Sequence, residues 1–399
     1  MNIRPFRPCI YSENLKDVTA PPFDGITPNQ ESELKKHPYN ITHLTLPRGA
    51  DGVENARKKI LQWIQEGIIV EMDRDTLFIL VQEFRLNSEN IERIGVIGVT
   101  DVYPDNGMVK PHENTFPGPV RERAALMKGL EAQLEPLFLT ILNNNFERVL
   151  RRIISGKRPD RVFEEPYGVT NSLYFVSEME KIEKISDAIS RDNAIVADGH
   201  HRLKAAQTIA ESAEAEEGNF WSESMVYVSS IYDRGLLISG VHRIVNDSFS
   251  FRQNLDRIAS YFQIRERETL DTIDNLVIYD GTFKYLIPRQ GALESLFGKE
   301  YSSEDIVGSK VINEILFKKV LGMEAKDLES SVQYTHDLSL AVGYVDSGKA
   351  NFAVIMPAWN KDAFIKQSMS GHVLPQKSTY FYPKIPSGIA IRKLDRKSC

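Results

Sequence analysis

The most constraining stretch of this sequence is a short apolar segment, Ala194–Ala197, followed directly by Asp-Gly-His-His-Arg at positions 198–202. The apolar segment is typical of a buried strand, and the amphipathic pattern after it predicts a helix over 201–213. Gly199 permits a tight turn, and a helix start offers unpaired N–H groups and the positive end of the helix dipole. The junction therefore predicts an anion site, with a phosphate as the expected ligand.

The side chains of this box add chemistry to the junction. His200, His201 and Arg202 contribute two imidazoles and a guanidinium, and Asp198 is placed to hold a metal ion or to take a proton. The structural alternative is that Asp198 only caps the helix while Arg202 forms a surface ion pair. A zinc site is not favoured, because adjacent helical residues point in different directions and no Cys or well-spaced third His follows.

Strand and helix patterns alternate around the box, which indicates an α/β layer. The last third of the chain favours α+β structure, so the fold class expected for the whole chain is α+β, with mixed sheets, flanking helices and one shared cleft. A hairpin turn is expected at 233–235, between two strand-like runs. Three regions are predicted, with boundaries at 1–110, 111–250 and 251–399.

Two further motifs carry candidate site residues. In Pro111–Thr115, Glu113 is a candidate general base and His112 a candidate substrate contact; the alternative for Glu113 is a solvated loop carboxylate. His242 and Arg243 lie inside a predicted strand. Because consecutive strand residues face opposite sides, at most one of them is expected to face a pocket.

The segment Gln376–Lys384 contains a run of polar residues that leads into an aromatic stretch. Lys377, Ser378 and Thr379 are candidates for binding a phosphate or a carboxylate. The segment is not a P-loop, because the glycine spacing before the lysine is absent. The alternative is a plain loop that precedes an aromatic strand.

Composition excludes several classes of protein. The 399 residues are 42% hydrophobic and 26% charged, as in ordinary globular proteins. The formal net charge of −6 argues against a dedicated nucleic-acid binder, whose domain is usually basic. The start lacks the apolar run of a signal peptide, and no apolar stretch is long enough to cross a bilayer. The sequence thus predicts a cytoplasmic protein with no nucleic-acid or membrane partner.

The Asp198–Arg202 box after a short strand resembles the ParB/sulfiredoxin-like superfamily, in which such a box holds nucleotide phosphates. A fuller set of motifs resembles a broad bacterial and archaeal family long labelled as a domain of unknown function. This set spans nearly the whole chain in the family's order: Pro21–Asp24, Pro111–Thr115, Asp198–Arg202, His242–Arg243 and Gln376–Lys384. The resemblance implies a ParB/sulfiredoxin-like nucleotide-binding core over 111–250, with the C-terminal region closing the cleft.

The resemblance also implies an activity, since members with the Asp-Gly-His-His-Arg box are free-serine kinases. They transfer a phosphoryl group from a nucleotide to L-serine and form O-phosphoserine. The implied cofactors are ATP or ADP as donor and Mg²⁺, with Asp198 as the metal ligand. The resemblance implies catalytic roles for Glu113, Asp198 and His200. It implies that the nucleotide is bound by Gly199, His200, His201, Arg202, Lys377, Ser378 and Thr379. It implies that the substrate is bound by His112, His242 and Arg243.

The sequence departs from the family pattern at two places. Gly240 and Val241 stand where a Pro-Thr pair usually precedes the fourth motif, and Phe23 stands where Tyr is commoner.

The sequence leaves two other functions open. One is a nucleotide-binding regulator of the ParB type, and the other is a kinase or phosphohydrolase for a different small hydroxy metabolite. The donor, the base and the oligomeric state are also left open.

Overall fold

The structure, a computed structural model, describes residues 1–12, 14–86, 88–102, 109–166, 168–190, 192–212, 220–246, 248–270, 276–289, 291, 294, 308–371 and 373–394. Its internal contacts divide the chain into two compact units. The first unit comprises Met1–Pro111, Thr115–Leu237 and Pro383–Cys399, and the second comprises His112–Asn114 and Ile238–Tyr382. This division differs from the three consecutive regions expected from the sequence, because each unit is assembled from separate stretches of chain.

Short runs of strands are separated by helices along the chain. The strands are β1 (Cys9–Tyr11), β2 (Ile69–Glu71), β3 (Leu77–Leu86), β4 (Glu89–Asp101), β5 (Val109–Lys110), β6 (Ala132–Gln133), β7 (Leu137–Ile141), β8 (Arg161–Glu164), β9 (Thr170–Val176), β10 (Ala194–Asp198), β11 (Glu223–Ser230), β12 (Leu237–Ser239), β13 (His242–Val245), β14 (Phe262–Arg267), β15 (Leu276–Tyr279), β16 (Phe283–Pro288), β17 (Val332–Thr335), β18 (Phe352–Ile355), β19 (Tyr380–Tyr382) and β20 (Arg392–Lys393).

The helices vary from one turn to four. They are α1 (Leu15–Val18), α2 (Pro28–Leu34), α3 (Thr42–Thr45), α4 (Gly52–Gln65), α5 (Pro117–Leu130), α6 (Phe146–Ile154), α7 (Met179–Ile189), α8 (His200–Ala210), α9 (Leu255–Tyr261), α10 (Gly308–Val311), α11 (Ala325–Ser331), α12 (Leu338–Asp346) and α13 (Lys361–Met369). A π-helix, Ile312–Val320, continues from α10. None of the helices in the described ranges is long and apolar enough to cross a membrane.

The first unit is built on an eight-stranded mixed sheet in the order β5-β10-β7-β11-β4-β3-β9-β8. One face is apolar and packs against α6, α7 and α8, whose inward residues recur every three or four positions, as in Phe146, Leu150 and Ile153. Strand β10 lies inside this sheet, parallel to β5 and antiparallel to β7. Strand β5 pairs with the start of β10, and β7 pairs with it as far as Asp198, which lies opposite Phe138.

The second unit contains a six-stranded sheet in the order β14-β16-β15-β18-β13-β17. Helix α9 and the π-helix pack on one face around Phe251, Ile258 and Phe317. Helix α12 packs on the other face through Ala341 against Ile244 and Ile355. Because both faces are covered by apolar residues, β13 is buried at every position.

The mixed α+β class is confirmed, and so are the strand before Gly199 and the helix after it. Two local predictions were wrong. The residues at 233–235 form a turn, but the strands on either side of it, β11 and β12, belong to different sheets rather than to one hairpin. The sequence also predicts a helix over about 120–135, but this helix ends at Leu130, because Glu131 adopts a left-handed conformation with φ of 49° and the chain continues into β6.

Candidate functional site

The strand–helix junction of the first unit has the geometry that the sequence predicts. Asp198 ends β10 after a register shift, and α8 begins at His200. Gly199 lies between them with φ of 94°, which favours glycine. A Cβ at this position would lie 3.1 Å from Arg202 Cζ and 3.1 Å from Leu137 Cδ2. A glycine is thus required here, and it leaves the first turn of α8 without a capping side chain at the N-cap position.

The Asp198 carboxylate is bonded to two cations of the same unit. Oδ1 accepts a hydrogen bond from Lys384 Nζ, and Oδ2 accepts one of 2.6 Å from Arg202 Nη2. Burial by itself would raise the pKa of Asp198, but Lys384 and Arg202 outweigh burial and lower the pKa of this carboxyl to about 2. Asp198 is therefore held as an anion between two positively charged groups, and its single negative charge balances only one of them.

Arg202 is buried and oriented by a second carboxylate. Its Nη1 donates to the Pro136 carbonyl at 2.6 Å, and its Nε lies 3.8 Å from Glu135 Oε2. Burial would lower the pKa of the guanidinium, but Glu135 and Asp198 offset this effect and raise the pKa. Both structural alternatives for the box are wrong, because Arg202 is only 8% exposed and Asp198 bonds cations instead of capping α8.

The predicted Mg²⁺ site at Asp198 does not fit this arrangement. Each carboxylate oxygen already accepts a bond from a positively charged group, so a divalent cation there would be repelled by Lys384 and Arg202. Within the part of the chain that the structure describes, no group of three or more His, Cys, Asp or Glu side chains is arranged to hold a metal ion. We therefore do not assign Asp198 as a metal ligand.

The two histidines of the box differ in their surroundings. His201 Nε2 accepts the backbone N–H of Phe116 at 3.1 Å, and the two rings stack with centroids 6.4 Å apart. His200 is half-buried, and its charge contributes to the low pKa of Asp198. As expected from their adjacent positions on α8, the two imidazoles lie in different surroundings.

The second unit brings Glu113 together with the polar segment at 377–379. Glu113 Oε1 accepts backbone N–H groups of Ser378 at 3.1 Å and Thr379 at 3.0 Å, and the Thr379 hydroxyl at 2.8 Å. Glu113 Oε2 accepts the N–H of Lys377 at 3.1 Å. The Glu113 side chain is 13% exposed, so the alternative of a solvated loop carboxylate is wrong.

His112 lies beneath this contact. Its Nε2 is 2.8 Å from Thr379 Oγ1, and its ring packs edge-on against Phe364 and Phe381. The residue is 1% exposed. His112 therefore supports the Thr379 hydroxyl that Glu113 also contacts, and its assignment to the substrate stays a prediction.

His242 and Arg243 are both buried in β13. His242 Nδ1 accepts the N–H of Met356 at 3.0 Å, and burial, together with Arg243, lowers the pKa of the imidazole to about 4. Arg243 donates to the carbonyl of Val241 and, at 3.4 Å, to the carbonyl of Lys377. Burial lowers the pKa of this guanidinium to about 10, against the opposing effects of Tyr334 and Glu113. Of the pair, Arg243 is the one bonded to the 377–379 segment.

Two residues of the first junction were not selected from the sequence. Lys384 is the last residue of the Gln376–Lys384 motif, in which the sequence predicts only Lys377, Ser378 and Thr379 as ligand-binding residues. Glu135 stood in a predicted helix, whereas it precedes β7 and accepts the backbone N–H of Phe23 at 3.1 Å. A signal for Lys384 existed in its motif, and the sequence held none that pointed to Glu135.

A family model described as a protein of unknown function, DUF1015, matches residues 3–311. The chain belongs to the DUF1015 family. This membership agrees with the resemblance seen in the sequence motifs, while the ParB/sulfiredoxin-like core stays a prediction. No curated protein matches the chain significantly.

Several solved structures are similar to part of this fold. A conserved hypothetical protein from Pyrococcus furiosus is 13% identical, with a TM-score of 0.40 over 75% of this chain and 95% of that chain. A free serine kinase in complex with AMP is 11% identical, with a TM-score of 0.40 over 73% and 92%. C-terminally truncated SbnI from Staphylococcus aureus is 10% identical, with a TM-score of 0.41 over 76% and 90%. Similarities at this level carry no activity over to this chain.

Proposed function

We propose that the protein is a kinase that transfers a phosphoryl group from ATP or ADP to the hydroxyl of free L-serine, giving O-phosphoserine. The observation that carries the proposal is the β10–α8 junction. There Gly199 is the N-cap residue of α8, and the Asp198 carboxylate is bonded to the side chains of Lys384 and Arg202. A helix N-terminus flanked by cations suits a phosphate-bearing ligand. The choice of L-serine as acceptor comes from the resemblance of the sequence motifs.

In the proposed step, the serine hydroxyl oxygen forms a bond to the terminal phosphorus of the donor, and the bond from that phosphorus to its bridging oxygen breaks. The electron pair leaves with ADP or AMP, and the hydroxyl proton passes to a carboxylate. We assign this proton to Glu113, because a carboxyl with a pKa of about 2, such as Asp198, is a weak base near neutral pH.

The remaining candidates receive supporting roles in this proposal. The first turn of α8, with His200 and His201, binds donor phosphates, and Arg202 and Lys384 offset their negative charge. Arg243 and His112 are assigned to the serine carboxylate and its surroundings. Mg²⁺ is assigned no ligand from this chain and would enter bound to the donor phosphates, whose charge it neutralises.

The direct test incubates the purified full-length protein with L-serine, Mg²⁺ and either ATP or ADP, and measures O-phosphoserine by mass spectrometry. Product with one donor supports the proposal and identifies that donor. Absence of product with both donors rejects it. Threonine and homoserine, tested in parallel, reveal a kinase for a different acceptor, and salt-dependent binding to DNA without turnover would favour a regulator.

A matched pair of variants tests the junction. Asp198→Asn removes the charge that holds Lys384 and Arg202, and we expect turnover to fall by about 100-fold or more. Asp187→Asn changes an exposed aspartate on α7 of the same unit and is expected to retain the activity of the unchanged protein. Equal activity in both variants would remove Asp198 from the mechanism.

A further inference from the structure

The contact between Glu113 and residues 377–379 has the form of an anion site that is already filled. Three successive backbone N–H groups, those of Lys377, Ser378 and Thr379, donate to one carboxylate over 3.0–3.1 Å. Lys377 has φ of 55°, and such a left-handed residue turns successive N–H groups toward a common centre. The segment is thus shaped to bind an anion, and in this structure the anion is the side chain of Glu113.

The surrounding charges favour the same kind of ligand. Arg243 is fully buried, donates to the Lys377 carbonyl, and has an Nε atom without a hydrogen-bond partner among the described residues. The Lys377 side chain is exposed, and no described acid forms an ion pair with its ammonium. A buried guanidinium with an unused N–H group retains a donor for a further acceptor, since such groups are normally paired.

The backbone of Glu113 is anchored independently of its side chain. His112 C=O accepts the N–H of Leu374 at 2.7 Å, and Asn114 N–H donates to the Leu374 carbonyl at 3.2 Å. This bridge holds the main chain of 112–114 beside the segment whether or not the carboxylate stays in place. The side chain can therefore leave the site by rotation about its own bonds, without a rearrangement of the strand-like backbone.

We infer that the N–H groups of Lys377, Ser378 and Thr379 form a binding site for a carboxylate or phosphate group of a ligand, and that Glu113 occupies this site as an internal competitor. An incoming anion displaces the Glu113 carboxylate and takes over its hydrogen bonds. The inference deepens the proposed function and rests on it in one respect: the displaced Glu113 is the group assigned as proton acceptor. The exchange replaces one anion by another, so the N–H groups stay paired throughout.

The test uses simple anions and the full-length protein. Glu113→Ala empties the site, and Glu314→Ala, which removes a glutamate of the π-helix paired with Lys318, is the control. Melting temperatures are measured against increasing sodium formate or sodium phosphate, with sodium chloride at matched ionic strength. We expect formate and phosphate to bind Glu113→Ala about tenfold more tightly than they bind the unchanged protein or the control.

Amide NMR resonances locate the binding. In Glu113→Ala the signals of Lys377, Ser378 and Thr379 are expected to shift with formate, and to shift much less in the unchanged protein. Equal affinity in both proteins, or shifts confined to His200–Arg202, would overturn the inference. If the alanine variant does not fold, Glu113→Gln replaces it, and an affinity equal to that of the unchanged protein again overturns the inference. Because neither readout involves turnover, this outcome is independent of whether L-serine is phosphorylated.

Discussion

The ammonium of Lys384 donates a hydrogen bond to the carboxylate of Asp198, a residue 186 positions earlier in the chain. The same lysine contributes its backbone carbonyl, which accepts a bond of 2.9 Å from Gln82 Nε2. Lys384 thus connects the end of β10 to the polar side chains of β3, all within the first unit. This contact makes the C-terminal segment part of the candidate phosphate site.

Removal of the Lys384 charge is expected to destabilise the protein. In Lys384→Met the nearly buried Asp198 keeps Arg202 but loses its second cation, and we expect a loss of about 2 kcal/mol in the free energy of unfolding. The control is Lys393→Met, because Lys393 lies 3.8 Å from Glu71, and a longer pair of this kind contributes less than about 1 kcal/mol. Urea unfolding of both variants checks the difference; equal losses would contradict the role of the Asp198 contact.

A substitution at Gly199 separates the cost of backbone strain from the cost of crowding by neighbouring side chains in the stability of the junction. Gly199→Ala introduces a side chain at φ of 94° and against Arg202 and Leu137, and we expect it to destabilise the protein by more than the roughly 1–2 kcal/mol of left-handed backbone strain alone. Gly156→Ala is the control, since Gly156 has φ of 74° and no atom near its added Cβ. In thermal unfolding, Gly199→Ala should have a lower melting temperature than Gly156→Ala. The reverse order would show that the packing around Gly199 is loose.

The hydroxyl of Thr379 bonds two groups, so its removal is expected to affect both. Thr379→Val keeps the shape of the side chain but removes the contacts to Glu113 and to buried His112, at a cost of about 1–3 kcal/mol in the free energy of unfolding. Thr379→Ser retains a hydroxyl and should recover most of this stability. A valine variant as stable as the serine variant would show that these hydrogen bonds contribute little.

Stability is expected to depend on pH through Glu165 in the first unit. Burial raises the pKa of this carboxyl to about 7, although Asn171 Nδ2 donates to it at 2.7 Å. Because its pKa in the folded protein lies above the ordinary value of 4.5, the carboxyl of the unfolded chain ionises first, and stability falls as the pH rises from 4.5 to about 7.

The measurement for this dependence compares urea midpoints at about pH 5 and about pH 7.5. Glu165→Gln removes the titrating group and should reduce the fall of the urea midpoint between these two pH values. Glu164→Gln, at the exposed neighbouring position, should leave the decline as it is in the unchanged protein. A decline that persists in Glu165→Gln would assign the dependence to other groups.

The sequence alone determined the local features of this protein. The run Ala194–Ala197 and the box after it predicted a buried strand, a glycine turn and a helix start, and the structure has all three within one or two residues. The segment 145–154 likewise has the pattern of a short helix, and the structure has one at Phe146–Ile154. Such features depend on propensity, periodicity and backbone conformation over a few neighbouring residues, so that nearby residues suffice to specify them.

Only the tertiary structure decided which side chains meet. The pairing of Asp198 with Lys384, and of Glu113 with Thr379, joins residues 186 and 266 positions apart. The sequence around 233–235 does not decide that β11 and β12 belong to different sheets, because a turn with two flanking strands is compatible with a hairpin or with two strands of separate sheets. Contacts over such separations follow from how the sheets and helices bury their apolar faces, and no short-range pattern encodes that choice.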